Sequence, residues 1–95
     1  MSINAKAFMG VDLNLLIIFL VVFREENLSH AAKHLGVTQP AVSGSLIRLR
    51  RCFDDPLFVR NGRCMRPTKK ACRIAELLTP VMQQIEEVIT RRGAV

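Results

Sequence analysis

Residues 27–53 read Asn27-Leu28-Ser29-His30-Ala31-Ala32-Lys33-His34-Leu35-Gly36-Val37-Thr38-Gln39-Pro40-Ala41-Val42-Ser43-Gly44-Ser45-Leu46-Ile47-Arg48-Leu49-Arg50-Arg51-Cys52-Phe53. Ser29 is suited to cap a short helix ending at Leu35, with Leu28 placed for a hydrophobic staple; Ala32 leaves the capping box incomplete. Ala31, Ala32 and Leu35 form an inward face whose small side chains allow close helix approach. Gly36 follows as the residue able to take positive φ at a helix end, and Val37 can pack back. Thr38 is the next N-cap, and Pro40 falls in a first turn, where its missing N–H costs nothing. Helix, three-residue turn, helix is the spacing of a helix-turn-helix.

The second helix is predicted over Gln39–Phe53. Val42, Leu46, Leu49 and Phe53 recur every three or four residues and define its core stripe. Gln39, Pro40, Ser43, Gly44 and Ile47 then face outward, with Arg51 at the edge. A duplex major groove admits such a face: Gln pairs with adenine, Ser reads either kind of group, and apolar atoms touch the thymine methyl. Gly44 costs about 1 kcal/mol of helix propensity against Ala but lets another molecule approach the backbone closely. A merely solvated face would explain the polarity, but not the Gly or an exposed Pro and Ile.

Downstream, Asp54-Asp55-Pro56 breaks the helix. Leu57–Arg60 and Cys64–Arg66 are strand-like segments around Asn61-Gly62, the pair favoured in type I′ hairpin turns. Two short strands are marginal alone, so this hairpin is expected to pack on the helices through Phe58 and Met65. Arg60 and Arg63 flank its tip and suit phosphates or a narrow minor groove; a solubilising loop is the alternative. Thr68 caps a final predicted helix over Lys69–Thr90. Lys69 and Lys70 would stand in its first turn against the dipole, a placement that a nearby phosphate would offset. Ala71, Ile74, Leu78, Val81, Ile85 and Val88 make a coiled-coil-like seam, interrupted by Pro80, that a second copy would cover about a twofold axis.

Upstream, Leu13–Phe23 is apolar except for Asn14. A membrane span needs about 20 predominantly apolar residues, and Asp12 and Arg24-Glu25-Glu26 close this run too early. Lys6 precedes the run, but no small-residue cleavage site follows it. The run reads as a helix capped by Asp12 and buried on more than one face. So small a domain can hardly surround it, which directs Leu16 and Leu20 towards a second chain.

The chain has 95 residues, enough for one domain, with a formal charge of +6 and a pI near 10.1, a balance that suits a polyanion. Residues 1–47 are neutral overall. Residues 48–73 carry Arg48, Arg50, Arg51, Arg60, Arg63, Arg66, Lys69, Lys70 and Arg73 against Asp54 and Asp55, a net of +7, and residues 74–95 are −1. Three cysteines without close spacing argue against a disulfide framework; Cys52, Cys64 and Cys72 read as small core or partly buried thiols. Without Trp or Tyr, a base-stacking surface would rest on Phe alone. His30 and His34 have the spacing of a metal pair but no third ligand at a motif distance, so no metal site is expected. No phosphate-cradling glycine motif and no nucleophile–base arrangement can be named, so neither an enzyme nor a cofactor is expected.

Taken in order, Asp12-Leu13-Asn14-Leu15-Leu16, Asn27-Leu28-Ser29-His30-Ala31-Ala32, Leu35–Ser43, Asp55-Pro56-Leu57-Phe58-Val59-Arg60 and Pro67-Thr68 resemble the amino-terminal region of LysR-type transcriptional regulators, the nodulation-regulator branch in particular. The resemblance covers residues 12 to about 90. It implies a mainly α fold: a winged helix-turn-helix over 12–68 and a linker helix over 69–90 that dimerises, flanked by a flexible extension 1–11 and tail 91–95. It implies Gln39, Pro40 and Ser43 at the major groove, Thr38 on backbone phosphate, and Arg60 and Arg63 on the wing. The full candidate DNA-contacting set is Ser29, Thr38, Gln39, Pro40, Ser43, Gly44, Ile47, Arg48, Arg51, Arg60, Arg63, Lys69 and Lys70. The candidate dimer set is Leu16, Leu20, Ala71, Ile74, Leu78, Val81, Ile85 and Val88. Two departures from the family pattern are Gly44, where many members carry Arg, and Lys69-Lys70, where an acidic residue is common.

The partners so implied are double-stranded DNA with an interrupted inverted repeat and a second copy of the chain, with a tetramer open to the full-length regulator. No membrane is involved and the location is cytoplasmic, on the nucleoid. A small-molecule co-inducer belongs to an effector domain outside these residues. Two other classes stay open from the residues alone: a protein-interaction module using the apolar helix and seam, and a peripheral membrane protein anchored by Leu13–Phe23.

Overall fold

Every long helix starts on a side-chain oxygen. The computed structural model describes residues 2–91 and contains helices α1 (Leu13–Glu25), α2 (Leu28–Leu35), α3 (Gln39–Phe53) and α4 (Lys69–Thr90), with strands β1 (Phe58–Asn61) and β2 (Cys64–Pro67) between α3 and α4. Asp12 accepts from the Asn14 N–H at 2.9 Å, Asn27 from His30 at 2.9 Å, Thr38 from Ala41 at 3.2 Å and Thr68 from Ala71 at 3.1 Å. Such caps are each worth about 1 kcal/mol. The α2 cap is therefore Asn27, two residues before the expected Ser29. Leu28 becomes the first helical residue and is buried, so the helix starts early enough to seat it in the core. At the other end, Gly36 (φ 70°) donates to the Lys33 carbonyl at 3.2 Å and Val37 to the Ala32 carbonyl at 3.0 Å, a complete Schellman closure. Val37 contributes only its backbone; its side chain is exposed.

The core lies where α1, α2, α3 and the hairpin meet. Leu15, Phe19 and Val22 of α1 face Ala31 and Ala32 of α2, Val42, Leu46 and Leu49 of α3, Leu57, Phe58 and Met65 of the hairpin, and Ala71 and Ala75 of α4. Phe19 is fully buried, with ring centroids 5.5 Å from Phe58, 6.2 Å from Phe23 and 6.5 Å from Phe53. The predicted stripe of α3 and the predicted inward pair Phe58 and Met65 all take their places, Phe53 half-buried. Upstream of α1, within the expected extension 1–11, Ala5–Phe8 close one exposed turn of 3-10 helix, capped by Asn4. The expected tail 91–95 lies, apart from Arg91, outside the described residues.

The hairpin pairs Phe58 with Pro67, Val59 with Arg66, Arg60 with Met65 and Asn61 with Cys64, so Gly62 and Arg63 are its central residues. Gly62 has φ 63° whereas Asn61 and Arg63 do not have positive φ. That is the sign pattern of a II′ turn and not the expected I′, which needs positive φ at both central positions. The base of the hairpin holds a buried residue in the left-handed region, Leu57 (φ 63°). Such a conformation costs roughly 1–3 kcal/mol and survives only where its surroundings over-determine it. Here the Leu57 N–H donates to Asp55 Oδ2 at 2.8 Å, its carbonyl accepts from the Thr68 N–H at 2.9 Å, and its side chain is sealed in the core. The Thr68 hydroxyl also donates to Asp55 Oδ2, at 2.8 Å. That bond and then the Leu57 N–H hold the Asp55 carboxyl below its usual range. Arg50 completes the brace, its guanidinium donating to the carbonyls of Pro56 at 2.8 Å and Phe58 at 3.2 Å.

All three cysteines are exposed, contrary to the expectation of core or partly buried thiols. Cys64 points away from its buried neighbour Met65 on β2, Cys72 follows buried Ala71 on α4 and is turned out of the core, and Cys52 lies on the flank of the last turn of α3.

Candidate nucleic-acid interface

Along α3 the face opposite the core stripe is open. Gln39, Pro40, Gly44, Ile47, Arg48 and Arg51 are exposed and Ser43 is half-buried. A Cβ added at Gly44 would meet nothing within 4 Å, so this glycine makes no room for the protein's own packing. Thr38 Oγ1 accepts the Ala41 N–H, which leaves the hydroxyl proton free to donate outward. Arg48, exposed, stands 3.8 Å from half-buried Asp12, a weak tether by distance and solvation.

The N-termini of α2 and α3 and the hairpin frame one hollow of about 330 Å³, lined by Asn27, Ser29, His30, Gln39, Arg60 and Arg63 over a floor of Leu28 and Met65. Two hydrogen bonds knit its rim. Ser29 Oγ donates to Gln39 Oε1 at 2.9 Å, and Asn27 Nδ2 donates to the Arg63 carbonyl at 3.3 Å. Asn27 therefore both caps α2 and holds the hairpin tip, while the Met65 N–H donates to the Glu26 carbonyl at 2.8 Å one residue upstream. Asn27 and Arg50 are absent from the candidate set. The Asn at the head of an Asn-Leu-Ser sequence hinted at a cap, but nothing local announces the long-range bonds.

The two lysines at the start of α4 part company. Lys70 Nζ donates to the Phe53 carbonyl at 2.6 Å, in the last turn of α3, where orphan carbonyls attract cations. Its ammonium group thus has a partner within the chain while remaining exposed to solvent. Lys69 is exposed.

The predicted seam of α4 divides in two. Ala71 is fully buried against its own chain and can touch no partner, because the first turns of α4 close the domain core. Ile74 and Leu78 are half-buried against that core, as is Leu20 of α1. Val81, Ile85 and Val88 are 48%, 42% and 68% exposed, and Leu77 and Ile89, outside the expected seam, are exposed with them. Leu16 is half-buried. Between α1 and the second half of α4 runs a groove of about 650 Å³ lined largely by Ile17, Leu20, Val21, Phe23, Met82, Ile85 and Ile89. Among the described residues, no group of three or more His, Cys, Asp or Glu is placed to hold a metal ion, and no helix is long and apolar enough to cross a membrane.

The match to known proteins falls on the same elements. The family described as bacterial regulatory helix-turn-helix protein, lysR family, matches residues 13–71, from α1 to the first turn of α4. The HTH-type transcriptional regulator LeuO of Escherichia coli is 41% identical over 83 residues, and the HTH-type transcriptional activator NahR of Pseudomonas putida 43% identical over 79. These matches cover 87% and 83% of this chain but 26% of either relative, so the chain spans about a quarter of their length. Among solved structures, a probable transcriptional regulator from Pseudomonas aeruginosa is 38% identical with a TM-score of 0.78 over 81% of this chain and 26% of its own. The BenM DNA-binding domain, solved in complex with catB site 1 DNA, is 19% identical with a TM-score of 0.79 over 88% of this chain and 93% of its own, a likeness of fold alone. The residues that cap α2 and α3, fill the core and build the hairpin thus lie in a matched sequence and a matched fold, and the chain belongs to the LysR family of bacterial regulatory helix-turn-helix proteins.

Proposed function

We propose that this chain binds double-stranded DNA sequence-specifically as a homodimer and thereby regulates transcription in bacteria, acting on nucleoid DNA in the cytoplasm. The observation that carries the reading is the shared hollow: the N-terminal face of α3, with Gln39, and Arg60 and Arg63 of the hairpin open on the same side. A helix in the major groove puts Gln39, Pro40, Ser43, Gly44 and Ile47 near base edges, with Arg48 and Arg51 towards phosphates. The hairpin then carries Arg60 and Arg63 to the adjacent minor groove or backbone. Thr38 donates to a phosphate, and Lys69 adds charge beside the hairpin. Two copies, paired through Val81, Ile85, Val88 and the groove against α1, present two such faces to an interrupted inverted repeat. Small-molecule sensing belongs to residues beyond those matched here.

Base contacts and phosphate contacts separate in salt. The log of the binding constant falls with log salt by roughly 0.9 for each phosphate neutralised. Gln39→Ala is expected to narrow the gap between a selected duplex and random duplex without changing that slope. Arg63→Ala is expected to weaken binding to both and to flatten the slope by about one. Equal losses on both duplexes for both variants overturn this division of roles. A folded chain with no duplex binding at low salt would favour a protein-interaction module built on α1 and α4.

A further inference from the structure

We infer that Ser29 is a positioning residue for base recognition: its hydroxyl fixes which way the Gln39 carboxamide is turned, and so narrows the base pair that Gln39 accepts. The inference rests on the DNA-binding reading above and extends it to a residue on another helix. Ser29 lies in the first turn of α2, yet it does not cap that helix, since Asn27 Oδ1 takes the His30 N–H. Its one hydroxyl proton goes instead to Gln39 Oε1, 2.9 Å away at the start of α3. Both residues are exposed and line the hollow beside Arg60 and Arg63, so the bond joins two outward-facing side chains where a duplex would lie.

The chemistry follows from the asymmetry of an amide. A carboxamide has an acceptor end and a donor end, and turning it over exchanges them. Adenine needs an acceptor opposite N6–H and a donor opposite N7, thymine offers an acceptor and a methyl group, and guanine offers two acceptors. A Gln free to turn over can present whichever end suits the pair it meets. With Oε1 held towards α2 by Ser29, one lone pair of Oε1 and both N–H bonds of Nε2 remain for the groove, in one orientation. The second helix of the motif therefore supplies a base contact whose direction is set by the first. A hydroxyl that has given its proton to Gln39 has none left for a phosphate, so Ser29 acts here through Gln39 and not by direct contact.

The test uses the full chain and three variants, Ser29→Ala, Ser29→Thr and Gln39→Ala. The probe is a duplex selected by the unmodified protein from a randomised pool, together with its complete set of single base-pair variants. Ser29→Ala is expected to fold normally and to reduce discrimination at the pair read by Gln39 by about three- to tenfold, a part of what a paired Gln contact supplies. Its affinity for random duplex and its salt slope should stay as they were. Ser29→Thr, which keeps the hydroxyl, should restore the preference, and Ser29→Ala should add nothing in a Gln39→Ala background. In the DNA-free protein, the side-chain NH2 resonances of Gln39 should move towards rotationally averaged values in Ser29→Ala and not in Ser29→Thr. A uniform loss on every duplex, with base preference intact, would make Ser29 a backbone contact and overturn the inference alone. A protein that selects no duplex overturns the DNA-binding reading and this inference with it.

Discussion

Helices α3 and α4 are both amphipathic, both capped by a threonine and both packed on α1, yet they leave opposite kinds of surface to solvent. The outer face of α3 is small and polar at Gln39, Ser43 and Gly44 and cationic at Arg48 and Arg51, a surface that water satisfies. The outer face of the second half of α4 exposes Leu77, Val81, Ile85, Val88 and Ile89, which water does not satisfy. Monomeric proteins rarely leave such a stripe continuous and open. The contrast assigns the work: α3 can stand uncovered until a polyanion arrives, whereas α4 needs an apolar cover throughout. It also fits the confinement of the net positive charge to residues 48–73, from the end of α3 through the hairpin to the start of α4, while residues 74–95 have a net charge of −1.

The deepest way to break the comparison is to remove what both helices lean on. Phe19 is fully buried and its ring meets Phe23, Phe53 and Phe58. Phe19→Ala should lower unfolding stability by about 3–5 kcal/mol, read from urea denaturation, and weaken every function of the domain together. A loss under about 1 kcal/mol would mean that α1 is not the shared support. The next test separates the two faces. Ile85→Asp, at a position 42% exposed, should turn a dimer into a monomer in sedimentation at micromolar concentration while the helical content stays intact. Its DNA affinity should fall because the two halves of the site are no longer joined. A variant that remains dimeric would show that another surface pairs the copies.

These tests fall where the sequence was clear and where it was not. The stripe Val42, Leu46, Leu49 and Phe53, the turn at Gly36 and the bounds of α3 and α4 follow from local chemistry, because period, cap and glycine all agree there. Three features were settled by distant contacts. In Asn27-Leu28-Ser29 two capping residues compete, and burial of Leu28 decides for the first. In Asn61-Gly62-Arg63 the local preference for Asn-Gly gives way, since Asn27 holds the turn by the Arg63 carbonyl and Glu26 holds β2 by the Met65 N–H. The positive φ of Leu57 is imposed by Thr68 and the core together with the Asp55 carboxylate two residues before it, and only the last of these is local in sequence. The apolar seam of α4 was visible, but a seam does not say which half meets its own chain. Ala71 does, and Val81 onward does not.

The smallest change gives the sharpest reading of the α3 face. Gly44 sits inside a helix with open space where a Cβ would be, so Gly44→Ala introduces no clash within the chain. The substitution should raise stability by about 1 kcal/mol, because alanine gives up less backbone freedom than glycine on becoming helical. If α3 seats in a major groove at this point, the added methyl should push the backbone off the DNA and lower affinity for a selected duplex, while random duplex, held mainly through phosphates, loses less. Stability and specific affinity would then move in opposite directions from one methyl group, which neither a solvated face nor a general loosening of the fold produces. Thermal unfolding and duplex titration on the same variant measure both. If both quantities rise together, the N-terminal half of α3 does not lie deep in the groove, and the contrast with α4 reduces to one of charge.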